Sequence, residues 1–94
     1  MSKFFVPFNQ DEPAAVEING HRLLLVASSE DELTAGLREI GGSEVREIEL
    51  SPSNEESVLR NLANTIHGGI VLTPPGVRVA TMLSSLKAEL PWVH

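Results

Sequence analysis

Residues 67–83, HGGIVLTPPGVRVATML, run from a glycine pair through an apolar triplet and a Pro-Pro-Gly corner into helical spacing. Ile70, Val71 and Leu72 have no polar alternation, as in a strand covered on both faces. Beyond the corner, Val79, Met82, Leu83, Leu86 and Leu90 recur on one helical face, and Pro91 stops the helix. Strand, glycine turn and helix are also the outline of a phosphate-binding loop. Such a loop works through free backbone N–H groups at a helix N-terminus, usually beside a Lys and a Ser or Thr. Pro74 and Pro75 have no N–H, and neither a GK[ST] nor a G-x-G-x-x-G pattern is present. Thr73, Gly76, Val77 and Arg78 remain the candidate contacts for a small anion. The stronger reading is a tight turn whose prolines set the entry of the helix.

Upstream, the same grammar repeats. AAVEI and RLLLVA flank Asn19-Gly20, a pair that supplies the positive φ angles of a two-residue hairpin turn. Leu23–Val26 is apolar throughout and predicts a central strand over 21–27. Ser29 with Glu32 three residues on has capping-box spacing, and Leu33, Leu37 and Ile40 form one face of a first helix that Gly41-Gly42 ends. EVREIEL, residues 44–50, alternates, with Glu47 and Glu49 on one side, as expected of a rim strand with a wet face. Ser53 and Glu56 form a second capping-box spacing. Leu59, Leu62, Ala63 and Ile66 give a second helical face, closed by Gly68-Gly69. At the N-terminus KFFVPF is apolar, and Pro7 removes a ladder donor, which places that strand at an edge.

Strands that alternate with helices predict an α/β (mixed α+β) fold. The expectation is a five-stranded mixed sheet with an N-terminal antiparallel hairpin, a parallel β-α-β-α-β core and a C-terminal helix, with helices on both faces. The expected strand order is 4–7, 15–19, 21–27, 69–73, 44–50, with the first two helices on opposite faces. Ninety-four residues, 1–94, suffice for one domain with one core.

Composition narrows the function classes. The chain is 41% hydrophobic and 21% charged, with 13 acidic against 7 basic residues and a net charge of −6. Without a Lys/Arg cluster, nucleic acid and anionic membrane are disfavoured as partners. No run approaches the length of a spanning helix, and MSKFFVPFNQ lacks the apolar core of a secretory signal, so a cytoplasmic protein is expected. The chain has no cysteine, which removes disulfides and thiolate chemistry. His21, His67 and His94 show no ligand spacing, so no metal or other cofactor is expected.

Three segments occurring in order carry a family resemblance: FFVPF (4–8), VEINGHRLLLVASSEDEL (16–33) and GGIVLTPPGVRVATMLSSL (68–86). Together they resemble the N-terminal domain of the enhanced serine sensitivity protein (SseB-like) family. That family opens with an aromatic strand ending in Pro, continues through a strand into a helix with an acidic start, and closes with a Pro-Gly corner before a last helix. Leu24–Ser29 and Ile70–Gly76 stand at the corresponding places, with Ala27 where the family has an aromatic residue and Thr73 where it has Asn. The resemblance spans nearly the whole chain and implies this fold and a non-enzymatic role. It transfers no catalytic residue.

The remaining polar residues fit structural roles. Glu30, Asp31, Glu32, Glu55 and Glu56 fall in first turns of helices, where negative charge offsets the helix dipole. Glu47 and Glu49 read as a solvated strand face. Ser28, Ser29, Ser51, Ser53, Ser84 and Ser85 lack a nucleophile elbow. Trp92 is either a lid on the core or a contact for a partner, since Trp is enriched in interface hot spots. With Phe4, Phe5 and Phe8 it makes up the candidate partner surface. The functional expectation is a small, soluble, non-catalytic interaction or regulatory module with an unknown protein partner or self-association. The alternative is a small-ligand or anion binder at the carboxyl ends of the parallel strands, near 27–29 and 73–78. An enzyme ranks third.

Overall fold

The computed structural model describes residues 2–92. His94 lies outside them. Six strands and three α-helices follow in the order β1 (Ser2–Asn9), β2 (Glu12–Pro13), β3 (Val16–Ile18), β4 (His21–Ala27), α1 (Glu30–Ala35), β5 (Glu44–Leu50), α2 (Glu55–Ile66), β6 (Gly69–Thr73) and α3 (Val79–Glu89). A 3-10 turn, Leu37–Ile40, separates α1 from β5. The mixed sheet, the hairpin, the three helices and their placement on both faces agree with expectation. The sixth strand is the two-residue β2, which forms a short hairpin with the end of β1.

The strand order differs from expectation. β5 pairs antiparallel with β1 over its whole length, from Ser2 opposite Leu50 to Phe8 opposite Glu44. β4 pairs antiparallel with β1 at Phe5–Ala27 and parallel with β6 from Leu23–Gly69 to Ala27–Thr73. β4, β5 and β6 therefore run in one sense, but β1 lies between β4 and β5, and β6 becomes a rim. The β-α-β-α-β succession is present in chain order, with only β4 and β6 forming a parallel ladder.

β1 is central because its side chains are apolar on both faces. Phe4, Val6 and Phe8 pack beneath α2 with Leu24, Val26, Ile48, Leu62 and Ile66. Phe5 points the other way, to the cluster of Leu25, Ala27, Leu33, Ile40 and Val79 under α1 and α3. Pro7 does not exclude this position. Its carbonyl accepts from Ala14 N–H at 2.9 Å, and the nitrogen and carbonyl of one extended residue point to the same side. The missing donor thus falls on the short β2 side, away from the β1–β5 ladder. Phe4, Phe5 and Phe8 are accordingly half-buried residues of an inner strand, packed against the two core clusters, not an exposed edge.

The hairpin turn follows its local signal. Asn19 and Gly20 have φ of 54° and 85°, and β3 and β4 pair across them from Ile18–His21. Asn19 also reaches α3: its Nδ2 donates to Leu90 O at 2.7 Å and Lys87 O at 3.1 Å, satisfying carbonyls that a helix end leaves open. His21 Nε2 lies 2.8 Å from Pro91 O. The first helix breaks earlier than its periodicity predicts. Gly36 interrupts it where α3 begins, and a Cβ there would lie 2.4 Å from Val79 Cβ.

Neither capping box forms. Ser29 is the N-cap of α1 but makes no side-chain cap bond. Asn54, not Ser53, is the N-cap of α2, and its Oδ1 accepts from Ser51 N–H at 2.8 Å. Glu56 instead pairs with Arg60 one turn on. Among the described residues no helix is long and apolar enough to cross a membrane.

Candidate functional site

Two regions bear on function: the corner at the carboxyl ends of β4 and β6, and the outer edge of β6. At the corner, Gly76 takes a φ of 82°, and Val77 N–H closes the turn onto Pro74 O at 3.1 Å. Gly76 N–H donates to Glu32 Oε1 at 2.9 Å. A carboxylate from α1 thus occupies the donor that a phosphate would need. The Ser29 hydroxyl, the Gly76 N–H and Glu32's own N–H together hold the Glu32 carboxyl below its ordinary range. Hydrogen bonds to the charged form favour it.

Beside this contact a cleft of about 500 Å³ opens between α1 and the start of α3, lined in part by Asp31, Glu32, Glu39, Gly76 and Arg78. Three carboxylates face one guanidinium, so its field is acidic. Of the four corner residues singled out from the sequence, Arg78 and Gly76 line the cleft. Val77 spends its N–H within the turn. Thr73 is buried, with 1% of its surface exposed, and its Oγ1 has no hydrogen-bond partner among the protein groups. An anion at Gly76 would have to displace Glu32. The sequence alone did not suggest that Glu32 reaches the corner, because the partners are 44 residues apart.

At the other region, β6 pairs with β4 alone among the described residues. Its five residues, GIVLT, carry no charge and no proline. Leu72 is 52% exposed on the α2 side of the sheet. The opposite rim, β5, is different in kind. Arg46 lies 4.3 Å from the Phe8 ring centroid and bonds Glu44 Oε1 at 2.7 Å and Asp11 Oδ1 at 3.3 Å. Glu47 meets Lys3 at 3.4 Å. These charges guard that edge against strand pairing. Trp92 is 70% exposed, so it does not lid the core. Among the described residues no group of three or more His, Asp or Glu is placed to hold a metal ion.

Compared with known proteins, the chain matches no family model, and no curated protein or solved structure matches it at a significant level.

Proposed function

We propose that the protein is a small, soluble, non-catalytic interaction module that acts in the cytoplasm and makes its contact through the outer edge of β6. The observation that carries this reading is Leu72, a large apolar side chain half in solvent on a rim strand without charge or proline. Unpaired strand edges accept extended segments through main-chain hydrogen bonds, with alternate side chains supplying specificity. Natural sheets defend such edges when they are not used, and β5 is defended while β6 is not. The resemblance to the enhanced serine sensitivity protein family, which rests on the quoted motifs, supports the same non-enzymatic role. Trp92 offers a second apolar contact at the far end of α3.

A second reading is favoured by the cleft beside Gly76, which lies where open α/β sheets bind small ligands. Its carboxylates suit a cationic or neutral ligand better than an anion. Two measurements separate the readings. Affinity capture with the parent chain and with Leu72→Lys tests the edge, and a partner held by the parent and lost by the variant supports it. A thermal-shift screen of small molecules tests the cleft. Stabilisation that Glu32→Gln or Arg78→Ala abolishes, with no partner sensitive to Leu72→Lys, would replace the interaction reading with the ligand reading.

A further inference from the structure

We infer that the partner of β6 is β6 of a second copy of this chain, paired antiparallel about a two-fold axis at Val71. This deepens the interaction reading and rests on it. Residues Gly69–Thr73 make their ladder with β4, and no other backbone or side-chain hydrogen bond to them is present among the described residues. The row of N–H and C=O groups facing away from β4 is therefore open, and a strand of the same sequence offers the matching row.

Register follows from the flanks. Pro74 and Pro75 have no N–H to donate and end the ladder on one side. Only a pairing centred on Val71 engages all five residues of both copies, with Gly69 opposite Thr73 and Ile70 opposite Leu72 of the second copy. Ile70 and Leu72 share the face beneath α2, since they pair with Leu24 and Val26 of β4. The half-exposed Leu72 of each copy would gain the other copy's Ile70 as a cross-strand neighbour, the contact that stabilises paired strands. A two-fold contact of this kind uses the same patch twice and closes on itself.

Charge selects this edge for self-pairing. Each chain carries a net charge of −6, so two copies repel unless they meet where charge is sparse. Residues 67–76 contain no Asp, Glu, Lys or Arg. The β5 rim, with Glu44, Glu47 and Glu49, would bring like charges together.

Analytical ultracentrifugation over a wide concentration range tests the inference. The parent should show a reversible monomer–dimer equilibrium. Leu72→Lys should weaken it at least about tenfold, because it removes an apolar pair and sets two like charges diagonally across the axis. Leu72 is exposed, so the variant should keep the parent's circular dichroism spectrum. Ser85→Ala, on the exposed side of α3, should leave the equilibrium unchanged. Val71→Cys, in a chain with no other cysteine, should form a covalent dimer with a short thiol crosslinker. A parent that stays monomeric at every concentration overturns the inference, as does a dimer indifferent to Leu72→Lys. A monomeric parent that still captures a protein through Leu72 overturns self-pairing and leaves the interaction reading standing.

Discussion

Replacing Thr73 by Val should stabilise the protein. Thr73 ends β6 opposite Ala27, and both are 1% exposed. Its Oγ1 is buried without a hydrogen-bond partner, and a buried hydroxyl left unpaired costs about 1–3 kcal/mol. Val has the same shape, with a methyl in place of the hydroxyl, and as a β-branched residue it keeps the χ1 preference of a strand. Most of the desolvation cost should return, less whatever the site recovers by small relaxations. The expected gain is about 1 kcal/mol, which for a domain of this size raises Tm by about 4–8 °C. Urea denaturation should show a higher midpoint with an unchanged slope. Thr73→Ser, which keeps the hydroxyl and loses the methyl, should be less stable than the parent. If Thr73→Val instead loses about 1 kcal/mol, the hydroxyl is bonded in the folded protein, and the reasoning about this corner fails.

Other outcomes follow from single contacts. Gly20→Val should lower Tm strongly in thermal denaturation, because a β-branched residue resists the φ of 85° that the hairpin turn imposes; a variant that melts like the parent would dismiss the turn. Gly36→Ala places a methyl against Val79 Cβ and should cost about 1–3 kcal/mol by urea denaturation, the usual penalty of overpacking. Glu32 titrates below its ordinary range when folded, so its contribution is present above the unfolded value and is lost as pH falls through the folded value. Stability of the parent should therefore drop across the acid range more steeply than that of Glu32→Gln, measured as Tm against pH.

The parts of the fold legible in the sequence were those decided locally. Asn19-Gly20 dictates its turn whatever surrounds it, and the apolar spacing of Leu59, Leu62 and Ile66 faces a core wherever the sheet runs. The place of β1 was not legible. Pro7 reads as an edge signal until the splay between β1 and β4 shows that its missing donor lies off the long ladder. Gly36 reads as an ordinary helical residue until α3 arrives with Val79. The corner was legible as a turn from Pro74 and Pro75 alone. Its acidic occupant was not, since Glu32 had a complete local explanation as a capping-box residue. The open edge of β6 was hidden by the same reading that misplaced β1: three apolar residues in a row suggest two covered faces, yet Leu72 is 52% exposed, and the run says nothing about whether both sides of the strand are paired.

The central claim is that the outer edge of β6 is open in the monomer and closes on contact. Amide hydrogen exchange followed by NMR across Gly69–Thr73 tests it residue by residue. In dilute protein, alternate amides of this strand should exchange fast while those bonded to β4 stay protected. At high concentration the fast set should become protected in the parent and stay fast in Leu72→Lys. Uniform protection of all these amides in dilute protein would show that the edge is already covered, and fast exchange at every concentration would show that no second copy closes it.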